Sequence, residues 1–121
     1  MNKRILVVED QEDNRRIMRG LLTSAGFEVF EAVNGNEALS MAEAERPHLI
    51  VMDIQLPELD GLEATRRIKA NPVLCHIPVI AVTAYAMSED NEKAMTAGCD
   101  AYFAKPVSPR TLLAKIREYL P

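Results

Sequence analysis

The sequence predicts an α/β fold of three layers: a parallel sheet with helices on both faces. Three observations carry this reading. Five short apolar runs recur along the chain, β-branched and nearly continuous, as strands buried on both faces must be. Between them, apolar residues recur at helical spacing. No linker or low-complexity tract interrupts the alternation, so one domain is expected over residues 1–121, with right-handed crossovers.

Each element has its own signal. The first run is Ile5-Leu6-Val7-Val8. A helix over Asn14 to Ala25 follows, with Ile17, Met18, Leu21, Leu22 and Ala25 on one face and Gly26 as its stop. The second run is Val29 to Val33. Asn34 reads as an N-cap with Glu37 as capping-box partner, opening a helix to about Glu45 that Pro47 ends. The third run is Leu49 to Met52. A turn from Pro57 to Gly61 leads into a helix with Leu62, Thr65 and Ile68 facing inward, broken at Asn71-Pro72.

The fourth run is Val79-Ile80-Ala81-Val82. Ser88 is expected to cap a helix whose acidic first turn, Glu89 and Asp90, suits the positive end of the helix dipole. Its apolar face, Ala94, Met95 and Ala97, is thin, and Gly98 closes it. The fifth run is Ala101 to Ala104. Ser108-Pro109 then starts a helix carrying Leu112, Leu113, Ile116 and Leu120.

Composition narrows the function. A chain of 121 residues suits one domain that buries roughly two-thirds of its unfolded surface. It needs neither disulfides nor metal merely to fold. A net charge of −4 argues against direct nucleic-acid binding. Cys75 and Cys99 lack metal-ligand spacing and read as free thiols of a reducing compartment. No long apolar stretch precedes the first acids, so a protein of the cytoplasm, with no signal peptide or membrane span, is expected.

The runs end on chemistry. Glu9-Asp10 follows the first, Asp53 the third, Thr83 the fourth, and Lys105 the fifth. In a parallel sheet all these ends share one edge, and ligands bind there, where strand order reverses. The order 2-1-3-4-5, borrowed from known doubly wound sheets, would bring Glu9, Asp10 and Asp53 together. Three close carboxylates repel one another. A hard divalent cation relieves this, and Mg²⁺ commonly uses one or two carboxylates plus phosphate. Lys105 offers a point charge for a phosphoryl oxygen, and Thr83 a hydroxyl. An acceptor carboxylate, a metal, a cation and a hydroxyl are the parts phosphoryl transfer needs.

The stretches "LVVEDQEDNR", "VMDIQLPELDG", "AVTAYA" and "AKP", in that order and spacing, resemble the receiver domain of two-component response regulators over essentially the whole chain. The likeness is strongest to short single-domain regulators and hybrid-kinase receivers. It implies a (βα)5 flavodoxin-like fold. Asp53 falls at the phospho-acceptor position, served by a sensor histidine kinase or a histidine phosphotransfer protein. Asp10 falls at the direct Mg²⁺-ligand position, Glu9 at the one acting through water, and the Gln55 carbonyl completes the ligands; Mn²⁺ would substitute. Thr83 and Lys105 match the phosphoryl-sensing positions, and Tyr102 the aromatic whose rotation reports the state. Pro57, Asp60 and Gly61 match the turn after the acceptor, and Pro106 a proline whose bond is often cis in the family.

The implied device is a switch. A phosphoryl group adds about −1.5 to −2 of charge. It would draw Thr83 inward, let Tyr102 fill the vacated space, and reshape the face of the fourth helix, fifth strand and fifth helix. The module would promote only its own phosphorylation and dephosphorylation, and would signal to a downstream protein.

Other readings stand beside these. The chain is either a stand-alone regulator, which its Met1 start favours, or a receiver excised from a hybrid kinase or transcription factor. A dehalogenase-type aspartyl-phosphate phosphatase expects a second Asp two residues after its nucleophile, where this chain has Gln55. A flavodoxin-like carrier wants a glycine-rich phosphate loop where "EDQED" stands. Arg66, Arg67 and Lys69 read as one solvated helix face. His48 and His76 read as loop residues before strands. Met87 and Met95 read as packing, and Gln55 and Tyr85 as positions that tune the phosphoryl lifetime.

Overall fold

The apolar runs are strands, and their order is the one expected. The structure, a computed structural model, describes residues 3–56, 58–83, 88–105 and 107–120, and of residues 88–91 the backbone alone. The elements are β1 (Arg4–Val8), α1 (Glu12–Ser24), β2 (Glu28–Ala32), α2 (Gly35–Glu45), β3 (Leu49–Asp53), α3 (Gly61–Ala70), β4 (Val79–Thr83), α4 (Ser88–Ala97), β5 (Ala101–Ala104) and α5 (Pro109–Tyr119). One sheet runs β2-β1-β3-β4-β5, every neighbouring pair parallel. None of the described helices is long and apolar enough to cross a membrane.

Successive side chains of a strand point to opposite faces, and here both faces are apolar. Leu6, Val8, Ile50, Met52, Val79 and Ala81 pack on one side, against Ala38, Ala42, Ala64, Ile68 and Ala94 of α2, α3 and α4. Ile5, Val7, Leu49, Val51, Ile80 and Val82 pack on the other, against Leu22 of α1 and Leu112 and Ile116 of α5. Leu74 and Ile77, in the turns between α3 and β4, are fully buried core residues that the helical pattern did not reveal.

Caps set the helix ends. Asn34 Oδ1 accepts from the Glu37 amide at 2.8 Å, while Glu37 Oε1 reaches the Val33 amide at 3.3 Å. Asp60 Oδ1 accepts from the Glu63 amide at 2.9 Å, so α3 has the same N-cap bond, while the Glu63 carboxylate turns to Arg66 and Arg67. The Arg4 guanidinium donates to the carbonyls of Glu45 and Arg46, placing a cation on the negative end of α2.

Four expectations are corrected. Ile17 is 70% exposed, because only Met18, Leu21 and Leu22 of α1 reach the core and Ile17 lines a depression at the strand ends. Met95 is half exposed; among the described side chains of α4, the small residues Ala94 and Ala97 make the approach. Ser108 takes the N-cap position of α5 without a side-chain capping bond. Lys69 leaves the solvated face of Arg66 and Arg67. Those two pair with Glu63, whereas Lys69 Nζ bonds the Ile77 carbonyl at 2.7 Å and Asp100 Oδ2 at 3.0 Å, tying α3 to β4 and β5. Both cysteines are free, Cys75 exposed and Cys99 buried, and burial pushes the Cys99 thiol pKa up. Met87 and Tyr85 lie outside the described residues.

Candidate phosphoryl-transfer site

The strand ends converge as the topology requires. β1 hands the chain to Glu9, whose amide donates to the Ala32 carbonyl at 3.0 Å and so prolongs the ladder to β2. β3 carries Asp53 as its last residue, paired with Val82 of β4. Lys105 follows β5, its amide donating to the Thr83 carbonyl at 2.7 Å. Asp53 continues the alternation of Leu49 and Val51, and therefore lies on the α1–α5 face. Thr83 continues that of Val79 and Ala81, on the α2–α4 face, where Tyr102 pairs with Ala81. The alternation thus starts the charged groups from one face and the hydroxyl and the aromatic from the other, with Asp53 and Thr83 both last in their strands at the shared edge.

On the first face, Lys105 Nζ lies 2.5 Å from Glu9 Oε1 and 3.1 Å from Asp53 Oδ2. Glu9 and Asp53 are buried; Asp10 beside them is exposed. Asp53 is held at both oxygens, because its Oδ1 accepts from the Gln55 amide at 3.0 Å. The carboxylate plane is thereby fixed, which answers the cost of burying a charge: it is paired and hydrogen-bonded. Burial alone would lower the Lys105 pKa, but its bonds to Glu9 and Asp53 and their charges outweigh it and hold the ammonium above its usual range. Asp10 is pushed up, first by burial and then by its hydrogen bond to Glu9 and the charge of Glu9.

Oxygens of Glu9, Asp10 and Asp53 come within 4.8 Å of one another. Among the described residues, one ammonium pairs with two of these three carboxylates, Glu9 and Asp53. Such an all-oxygen set with surplus negative charge is what a hard divalent ion requires, and the residues fit Mg²⁺. The acids stand between two depressions. One, of about 260 Å³, is apolar, with Val51, Met18, Val107 and Ile17 beside Asp53 and Lys105. The other is more open, lined by Asp10, Gln55, Leu56 and Asp60.

The loop after Asp53 is shaped by close approach. The Gly61 amide donates to the Ile54 carbonyl at 2.9 Å, and a Cβ on Gly61 would overlap the Asp53 carbonyl oxygen. Glu58 in the same turn takes the left-handed conformation at φ 64°. Thr83 is buried and Tyr102 half-buried. Pro57 and Pro106 lie outside the described residues.

The sequence reading placed Asp60 in the acceptor turn but not as a helix cap, although Asp60-Gly-Leu-Glu63 has the capping-box spacing already used at Asn34. It missed one site residue. Arg15 carried no signal, being one of three arginines on α1 (with Arg16 and Arg19), yet its guanidinium bonds the Glu9 and Asp10 carbonyls.

Comparison with known proteins gives the family. The model of the response regulator receiver domain matches residues 5–117. The polar-differentiation response regulator DivK of Brucella anthropi is 48% identical over 120 residues, covering 99% of this chain and 98% of that protein. A CheY-like receiver domain protein of Methanospirillum hungatei JF-1 superposes with a TM-score of 0.92 at 37% identity, over 99% of this chain and 94% of that one. The receiver domain of a sensor histidine kinase from Pseudomonas aeruginosa PAO1 superposes with a TM-score of 0.92 at 36% identity over 98% of each chain. That structure has a magnesium ion coordinated in its active-site cleft. This chain belongs to the response regulator receiver domain family. It is a signalling module of two-component systems, and the phosphatase and flavin-carrier alternatives fall away.

Proposed function

We propose that Asp53 accepts a phosphoryl group from a phosphohistidine, and that the receiver module takes in the whole of residues 1–121. The donor is a sensor histidine kinase or a histidine phosphotransfer protein. The observation that carries this reading is the Lys105 ammonium shared between Glu9 and Asp53, with Asp10 completing the carboxylate cluster.

Glu9, Asp10 and Asp53, with the Gln55 carbonyl, would hold Mg²⁺, or Mn²⁺ in its place. When bound, the metal neutralises charge that builds on the phosphoryl oxygens. The chain's own residues do the rest. A carboxylate oxygen of Asp53 forms the new P–O bond as the donor's P–N bond breaks, and the departing imidazole nitrogen takes a proton from solvent. The Gln55 amide keeps Asp53 oriented. Lys105 passes from Asp53 Oδ2 to a phosphoryl oxygen, staying charged because its pKa is held high.

Thr83 then turns its hydroxyl to the phosphoryl group, and Tyr102, on the same sheet face one strand away, moves into the space left. Asp60 and Gly61, with Pro57, keep the acceptor turn in place, and Pro106 the loop after Lys105. The face of α4, β5 and α5 changes shape and docks a downstream protein. The chain accelerates only its own phosphorylation and dephosphorylation, binds no nucleic acid directly, and works in the cytoplasm.

Incubation with a small acyl phosphate, with and without Mg²⁺, tests this reading by intact mass. Wild type is expected to gain one phosphoryl group only with the metal, and Asp53→Asn none. Equal labelling of the two proteins would overturn the assignment.

A further inference from the structure

We infer that Arg15 is a positioning residue for the acidic pair, and that Glu31 holds it there. This rests on the proposed metal and acceptor roles and adds what sets the geometry of the cluster.

Glu9 and Asp10 lie on the short connection between β1 and α1. Their side chains must meet an ion and Asp53, so the backbone beneath them has to be fixed. The Glu9 amide is fixed by the Ala32 carbonyl. The opposite side is fixed by Arg15, whose Nη1 donates to the Glu9 carbonyl at 2.9 Å and the Asp10 carbonyl at 3.1 Å. Its Nε lies 3.5 Å from Glu31 Oε1 on β2, and the other oxygen of that carboxylate is fixed by Arg19 Nη1 at 2.7 Å. The Arg15 side chain is only 17% exposed, unlike Arg16 at 64% and Arg19 at 48%. The helix supplies the reach: α1 begins just past the acids, and Arg15, in its first turn, comes back over the loop it left.

A planar guanidinium with fixed donors spans two carbonyls and a carboxylate at once; an ammonium does not. Asp10 most needs this help. Its side chain is exposed and crowded by Glu9, so its approach to an ion depends on the backbone. Residues that orient metal ligands typically affect affinity about 10–100-fold.

The sign of the effect separates positioning from charge. Removing a cation near an acidic site strengthens divalent binding by simple electrostatics. Removing a residue that orients the ligands weakens it. Calorimetric titration of the unphosphorylated full chain with Mg²⁺ reads the difference, with acyl-phosphate labelling run in parallel. Arg15→Met and Arg15→Lys are both expected to bind Mg²⁺ roughly tenfold more weakly than wild type. Glu31→Gln is expected to lose less, and Arg16→Ala nothing. Tighter binding by Arg15→Met together with wild-type binding by Arg15→Lys would overturn the inference, leaving Arg15 a mere charge. A loss of binding that tracks a loss of folded protein in the far-ultraviolet spectrum of both Arg15 variants and Glu31→Gln would also overturn it. If wild type itself neither bound Mg²⁺ nor gained a phosphoryl group, the underlying reading would fail, and this inference with it.

Discussion

Gly61 lies so close to Asp53 that no side chain fits between them. A Cβ on Gly61 would overlap the Asp53 carbonyl oxygen and press on the Ile54 α-carbon, both backbone atoms. The start of α3 is thereby welded to the end of β3. Gly61→Ala is expected to destabilise the fold by about 1–3 kcal/mol, as overpacking does, and to slow labelling of Asp53. Gly20→Ala is the control: nothing lies within 4 Å of its Cβ, so a gain of up to about 1 kcal/mol is expected. Urea unfolding measures both; equal effects would contradict the close approach.

Lys105 pairs with both Glu9 and Asp53 and offsets one of their two charges. Lys105→Met leaves the three acids facing one another and is expected to cost about 1–2 kcal/mol, a charged hydrogen-bond pair discounted for partial exposure. Added Mg²⁺ should then raise the melting temperature of the variant more than that of wild type. The lysine pKa is raised in the fold, so its contribution is full below its ordinary value of 10.5 and fades only as pH climbs through the folded value above it. An equal metal-induced shift in the two proteins would contradict this role.

Lys69 and Arg66 are neighbours on α3 with different work. Lys69→Met removes the ammonium from the Ile77 carbonyl and leaves Asp100 Oδ2 with the Val79 amide alone, and should cost about 1–3 kcal/mol. Arg66→Ala, which removes an exposed side chain whose only described partner is Glu63, should stay within about 0.5 kcal/mol of wild type. Thermal unfolding of the pair distinguishes them.

His48 gives the fold a mild acid sensitivity. Its Nδ1 accepts from the Arg4 amide at 3.0 Å, which the protonated ring cannot do. Burial, followed by the charges of Lys3 and Arg4, lowers its pKa below 6.5. The unfolded chain therefore binds this proton first, and the stability from neutral His48 is present above about pH 6.5 and lost as pH falls from there through the folded value. His48→Asn should flatten the stability curve between pH 7 and pH 5; an unchanged slope would show that His48 contributes none of it.

Much of this was legible in the sequence because strands buried on both faces leave continuous apolar runs, and parallel strands send all their ends to one edge. Glu9, Asp53 and Lys105 met where that logic placed them. What was hidden depends on which way a side chain leaves its helix. Ile17 has the spacing of a core residue but overhangs the strand ends. Lys69 has the look of a surface lysine but turns under to the Ile77 carbonyl, and Arg15 resembles its neighbours until its reach is seen. Leu74 and Ile77 sit in turns, where no periodicity announces burial. Asp60 was legible, since its spacing to Glu63 repeats that of Asn34 to Glu37.

The central claim is that Asp53 carries the phosphoryl group. Hydride reduction of an acyl phosphate turns an aspartyl carboxyl into an alcohol, marking the residue as homoserine. After labelling with a small acyl phosphate and Mg²⁺, reduction and peptide mass mapping should find homoserine at position 53 alone. Homoserine at position 10, or none anywhere on a protein that had gained phosphoryl mass, would contradict the account.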